Sequence, residues 1–196
     1  ITCIMTIKRI LIPTDFSETA QLAVEHGVYM AHLFKAKIFL FHSLEPAVYM
    51  GLPGEPLLLM ETEEAHEVTG QKLSTIAGEI SKKYDVEISI LKTSGKPSKG
   101  IAAAVKENKI DIIIMGTHGA SGFEEFFVGS NTYRVANLAP CPVISVQKFA
   151  KKVGFSKIIM PIDNDLHSRQ KVNNVIELAS AYKSTVYILG LLETDN

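Results

Sequence analysis

Cysteine is scarce in this sequence, the two signs of charge nearly cancel, and long apolar runs are missing; each shortage removes a class of function. The two cysteines, Cys3 and Cys141, lie far apart with no metal-type or redox-type spacing. A disulfide framework is therefore not expected, and a reducing compartment, the cytoplasm, is. No apolar stretch reaches the roughly 20 residues that a membrane-spanning helix needs, because charges, prolines and glycines break the longest candidates. Residues 1–4 precede Met5, which reads as an initiator, and are too few for a signal peptide. With 20 basic residues against 21 acidic ones, the net charge of -1 gives no general attraction to nucleic acid or to an anionic membrane, and neither is expected as a partner.

What is present is a chain of 196 residues, 46% hydrophobic and 21% charged, which is enough to bury a real core. Strand and helix patterns alternate along it. Ile7 to Thr14 reads as a buried strand, and Ser17 is placed to cap a helix that carries Ala20, Ala23, Val24, Gly27, Val28 and Ala31 on one stripe. Lys37 to His42 is the second strand. Glu45 to Glu55, broken by prolines and glycines, reads as a loop, and a long helix is predicted from Leu57 to Tyr84 with Leu73, Ile76, Ala77, Ile80 and Tyr84 inward. Val86 to Leu91 is a third strand, Pro97 opens a helix burying Ile101, Ala104 and Val105, and Ile110 to Met115 is a strand buried on both faces. A short helix from Asn131 to Leu138 and a strand from Pro142 to Val146 follow. Such alternation predicts an α/β fold, a doubly wound five-stranded parallel sheet of Rossmann-like build, with ligands at the carboxyl ends of strands where their order reverses.

One stretch stands out chemically. The strand ending at Met115 runs into Gly116, Gly119, Gly122 and Gly129, followed by Ser130 and a helix start. Glycines permit positive φ and close approach of a ligand, while a serine and the unpaired amides of a helix's first turn donate to anions, so the stretch reads as a phosphate cradle. The spacing G-x2-G-x9-G-[ST] resembles the nucleotide loop of the universal stress protein family. The resemblance runs from Lys8 to Gln147 and includes Ile10-Leu11-Ile12-Pro13-Thr14-Asp15-Phe16-Ser17 and Cys141-Pro142-Val143. It implies strand order 3-2-1-4-5, with Asp15 and Gly116 flanking one crevice, and ATP or another adenine nucleotide with Mg2+ or Mn2+ as the ligand. Pro13 and Thr14 match positions beside the base, Met115 and Gly116 would line the crevice, and Gly119, Gly129, Ser130 and Asn131 would meet the phosphates. Ser43 falls where the family usually carries an apolar residue. Asp15 has two readings, a contact to ribose, base or metal, and a cap for the helix that follows. The resemblance also implies a homodimer paired through the strand Val143 to Val146.

No lysine or arginine lies between Gly116 and Ser130, whereas efficient phosphoryl-transfer sites place a cation on the phosphates. Holding a nucleotide is thus expected, with slow hydrolysis at most. His118 and His42 have no sequence-placed relay partner and read as structural, and Cys141 between two prolines reads as a packed side chain. The leading function is an ATP-binding protein of the stress response acting through conformation or partner binding; the alternative is a nucleotide-independent dimeric interaction module. Beyond Gln147 the sequence restarts: Ile158-Ile159-Met160-Pro161-Ile162-Asp163 aligns without a gap on Ile10 to Asp15, and Lys183, Leu192 and Glu193 align on Lys35, Leu44 and Glu45. The expected organisation is a nucleotide-binding domain at residues 5–147, a linker at 148–155, and the start of a second, incomplete copy at 156–196.

Overall fold

A computed structural model of the chain describes residues 7–45, 47–49, 58–60, 63–117, 129–150, 152–163 and 171–190. In order the elements are β1 (Arg9–Pro13), α1 (Glu18–Phe34), β2 (Lys37–Leu44), β3 (Ala47–Tyr49), β4 (Leu58–Met60), α2 (Glu63–Tyr84), β5 (Ile88–Ser94), α3 (Pro97–Asn108), β6 (Ile112–Gly116), α4 (Ser130–Leu138), β7 (Val143–Val146), β8 (Lys157–Ile162), α5 (Val172–Tyr182) and β9 (Thr185–Gly190).

Five strands pair in the order β5-β2-β1-β6-β7, all parallel, which is the expected 3-2-1-4-5 arrangement. The pleat of β1 divides its side chains between two cores. Ile10 and Ile12 join Ile38, Leu40, Ile112 and Ile114 beneath Val24 and Val28 of α1 and Leu73 and Ile80 of α2. Leu11 joins Phe39, Phe41, Ile113 and Met115 beneath Ile101, Ala104 and Val105 of α3 and Val135 of α4. A strand covered on both faces has no polar side to alternate with, so Ile10 to Ile12 and Ile112 to Ile114 are uninterrupted apolar runs.

Helix ends follow the local chemistry. Ser17 caps α1 with its side-chain oxygen, Pro97 occupies the first turn of α3, and Lys35 and Lys109 close α1 and α3 in the left-handed conformation. The predicted helix from Leu57 starts instead at Glu63, because Leu58–Met60 pairs antiparallel with Ala47–Tyr49, which the sequence placed in a loop. A four-residue apolar run suits helix and strand alike, and here pairing across the segment decides. Strand β5 lies at Ile88–Ser94, later than the predicted Val86 to Leu91.

Strands β8 and β9 form a separate parallel pair. Their register repeats that of β1 and β2 at an offset of 148 residues, with Lys157 opposite Thr185 where Arg9 stands opposite Lys37. The intervening helices also end alike, Lys35 at φ 51°, ψ 45° and Lys183 at φ 53°, ψ 44°. Leu11, Phe39 and Phe41, at 0%, 8% and 3% exposure, correspond to Ile159, Tyr187 and Leu189 at 67%, 49% and 51%. The second unit rests on α1 through Phe155, Leu178 and Tyr182, with the Tyr29 and Tyr182 rings 5.7 Å apart and the Glu177 carboxylate accepting the Ile7 amide at 3.3 Å.

Candidate functional site

Strands β1 and β6 lie side by side at the point where strand order reverses, and the turns leaving their carboxyl ends frame a cleft of about 170 Å3. The first wall is the turn from β1 into α1. The Thr14 amide donates to the Phe41 carbonyl at 2.8 Å, and the Thr14 carbonyl accepts from Nδ1 of His42 at 2.7 Å, which fixes the proton on that nitrogen. Phe16 takes the left-handed region at φ 65°, a conformation that costs a bulky residue energy. Several contacts hold it there: its amide donates to the Thr14 hydroxyl oxygen at 3.1 Å, and its ring packs 4.8 Å from that of His42. Asp15 Oδ1 accepts from both the amide and the hydroxyl of Ser17, at 3.0 and 2.6 Å, and the Ser17 oxygen in turn accepts the Ala20 amide at 3.2 Å. Asp15 thus orients the residue that caps α1 while standing at the cleft.

The opposite wall is built from β6 and α4. Thr117 donates its amide to the Val146 carbonyl at 2.9 Å and accepts the Gly129 amide at 2.8 Å, which sets the start of α4 directly over the end of β6. The Thr132 hydroxyl donates to the Gly116 carbonyl at 3.0 Å and secures that placement from inside the helix. Gly116 is glycine for a reason the sequence did not disclose. A Cβ there would stand 2.9 Å from the Thr19 carbonyl carbon, 3.0 Å from its oxygen and 3.1 Å from the Ala20 nitrogen, all backbone of the first turn of α1. The expectation of positive φ at this position is corrected: among the described glycines only Gly95 and Gly154 have it, and close approach of a helix is what excludes a side chain at 116.

Nine of the ten residues proposed from sequence line this cleft: Pro13, Thr14, Asp15, Ser43, Met115, Gly116, Gly129, Ser130 and Asn131. Gly119 and His118 lie outside the described residues. Phe41, Pro97 and Ile101 add an apolar flank, and Thr117 and Thr132 a polar one. Sequence reasoning did not single out those threonines or Gly95, because their partners lie far away in the chain. Ser43 donates its hydroxyl proton to the Gly95 carbonyl at 2.8 Å. No lysine or arginine is among the described lining residues, so attraction for an anion falls to the first-turn amides and positive end of α4. His42 has the structural place expected of it, and Cys141 packs against the α3–α4 core, with burial pushing its thiol up to about 11. Among the described residues no three His, Cys, Asp or Glu side chains gather to hold a metal, and no helix is long and apolar enough to cross a membrane. A larger groove of about 1030 Å3 lies between α1 and α2, walled by Val24, Val28, Ile76 and Ile80. It opens between helix flanks and reaches the β1–α1 turn, where Thr14 lines both cavities.

An open parallel sheet with helices on both faces and a crevice at its switch point defines the chain as a doubly wound α/β protein. Within that class, the model of the universal stress protein family matches residues 6–147, and the chain belongs to that family. It is similar to Universal stress protein MJ0531 of Methanocaldococcus jannaschii, 31% identical over 145 residues that cover 74% of this chain and 85% of the relative. Among solved structures, UspA from Lactobacillus plantarum has a TM-score of 0.62 at 24% identity, covering 71% of this chain and 97% of that one. The universal stress protein from Archaeoglobus fulgidus in complex with dAMP has a TM-score of 0.53 at 22% identity, covering 72% and 98%. These two likenesses establish the fold. The family match covers one domain and ends at Gln147, before β8.

Proposed function

We propose that the cleft binds an adenine nucleotide, ATP foremost, and that occupancy changes the conformation or partner surface of a protein of the stress response. The observation that carries this reading is the convergence of the α4 N-terminus, through Gly129, Ser130 and Asn131, on the turn bearing Pro13, Thr14 and Asp15 across one crevice. Amides and a helix dipole suit phosphates, and the apolar flank of Phe41, Ile101 and Met115 suits a flat base. The Archaeoglobus relative solved with dAMP supports the adenine class. Asp15 is a single carboxylate, which fits Mg2+ or Mn2+ held chiefly by the phosphates themselves. Without a cation in the described lining, turnover is slow, far below the enzyme median of about 10 per second.

Titration calorimetry with ATP, with and without Mg2+, tests the reading. Binding that Gly129→Val weakens is expected; no binding at millimolar nucleotide rejects it. One nucleotide per chain is expected, since the β8–α5–β9 unit repeats the Asp-bearing half of the crevice and not the half with a helix start. Among the described residues the edge strand β7 pairs on one side only, with β6, and is proposed to pair on the other with its counterpart in a second copy, as a homodimer. Ile144→Lys would then shift sedimentation toward monomer.

A further inference from the structure

We infer that Glu177 is a proton-linked latch between the two units, docking β8–α5–β9 on the first domain when its carboxyl is protonated and loosening it when the carboxyl is ionised. The chain entering β1 offers three consecutive amides to carboxylates. Lys8 and Arg9 both donate to Oδ2 of Asp111 at 2.8 Å, and Ile7 donates to Oε1 of Glu177 at 3.3 Å. Asp111 belongs to the first domain, whereas Glu177 reaches across from α5, so the Ile7 bond is a joint between the units. The second oxygen of Glu177, Oε2, is shut off from water with no hydrogen-bond partner among the described residues. Among those residues no lysine, arginine or histidine forms an ion pair with it either. A carboxylate in that place gives up its water without gaining a counter-charge, and a neutral acid gives up far less.

What holds the joint against that cost is apolar. Phe155, Leu178 and Tyr182 pack on the core that contains Ile7 and Val28, with the Tyr182 ring 4.9 Å from that of Phe155 and 5.7 Å from that of Tyr29. The other ionisable groups on the elements that meet there are Lys8 and Arg9 at the entry to β1, Lys109 and Asp111 before β6, His26 and Tyr29 on α1, and Tyr182 on α5. Arg9 turns its guanidinium to the Lys109 carbonyl at 3.3 Å. Nε2 of His26 donates to the Ala150 carbonyl at 3.3 Å, a bond that imidazole and imidazolium both make. Burial raises the Tyr182 phenol, which therefore stays neutral at physiological pH. Desolvation and the nearby Asp111 both raise the Glu177 carboxyl, against the opposing pull of the Ile7 amide. The docked carboxyl thus holds its proton to higher pH than a released one. Docking is tightest below the ordinary value of about 4.3 and weakens as pH rises through the docked value, by at most about tenfold per pH unit for one proton.

Amide hydrogen exchange followed by NMR on the full chain tests the latch, because the three amides answer separately. With the intrinsic pH dependence of exchange divided out, protection of the Ile7 amide should fall between about pH 4 and pH 7, by up to about tenfold per unit. Protection of Lys8 and Arg9, which Asp111 holds within the first domain, should stay level. The chain contains no tryptophan, so Phe155→Trp adds a reporter at the joint, whose emission should move to the red over the same range. In Glu177→Gln, which keeps the shape and removes the charge, both changes should vanish. Protection of Ile7 that does not vary with pH in the wild type overturns the inference. So does a change shared equally by Lys8 and Arg9, or one that survives Glu177→Gln.

Discussion

Replacing Gly116 by alanine separates two reasons for a glycine at the crevice, access for a phosphate and access for a helix. The added Cβ would meet the Thr19 carbonyl carbon at 2.9 Å, where ordinary contact begins at 3.4 Å, so about half an ångström must open between β6 and the first turn of α1. Neither side yields easily. The obstacle is backbone, and Gly116 is held from β7 through its Val146 partner and from α4 through Thr132. Overpacking of this kind costs about 1–3 kcal/mol, which for a chain of this size lowers the melting temperature by roughly 2–4 °C per kcal/mol. Denaturation followed by circular dichroism in the absence of nucleotide reads the effect directly. Nucleotide affinity should fall as well, because the turn that moves carries Asp15 and Ser17. Gly129→Ala is the contrast. Gly129 caps α4 at φ -53°, which any residue adopts, so no backbone strain is added; alanine is the poorer cap, the apo protein should lose about 0.5–1 kcal/mol, and the larger effect should fall on nucleotide affinity. A Gly116→Ala protein that melts within a degree of the wild type would refute the reasoning.

Two further outcomes are expected. Ser17→Ala removes the oxygen that accepts the Ala20 amide and the hydroxyl that Asp15 holds, and should cost about 1 kcal/mol in thermal denaturation; no change would mean that α1 is capped otherwise. Burial raises the Glu177 carboxyl, which the Ile7 amide partly opposes, and its Oε2 is buried with no partner among the described residues. Because the folded carboxyl keeps its proton to higher pH than the unfolded one, stability is fullest below the ordinary value of about 4.3 and declines as pH rises through the folded value. Glu177→Gln should therefore melt higher than the wild type at neutral pH and match it near pH 4; a constant difference across that range would exclude the charge as the cause.

The sheet was legible wherever a strand is buried on both faces, since Ile10 to Ile12 and Ile112 to Ile114 leave no other reading. Helix starts were legible where one side chain does the capping, as at Ser17 and Pro97. Strand order was not read from local pattern; it came with the family resemblance. The antiparallel pairing of Leu58–Met60 was hidden because a short leucine run does not declare its partner. At the cleft, residue types and glycine spacing brought nine positions to one place, but what each does for its neighbours depends on chain segments far away. Thr19 excludes a side chain at Gly116, Gly95 holds the Ser43 proton and Thr132 secures the Gly116 carbonyl, and no window of adjacent residues contains any of these pairs.

The two strand-helix-strand units, alike in register and in their left-handed lysine closures, bear on how the protein is assembled in time. One copy keeps Leu11, Phe39 and Phe41 beneath α3 and α4, and the other bears Ile159, Tyr187 and Leu189 about half exposed or more, yet the strand register within each is the same. Cover over that face of the strands is therefore not what sets it. The strands of the first copy pair across a shorter stretch of chain, Arg9 to Lys37, than those of β2–β5, β1–β6 or β6–β7, so the loop-closure cost is least there and β1–α1–β2 is the expected nucleus on which the later strands condense. Substitutions inside it should slow folding, whereas those at β7, which adds last at the edge, should chiefly hasten unfolding. The crevice, which needs both the nucleus and β6, is then among the last features of the domain to exist.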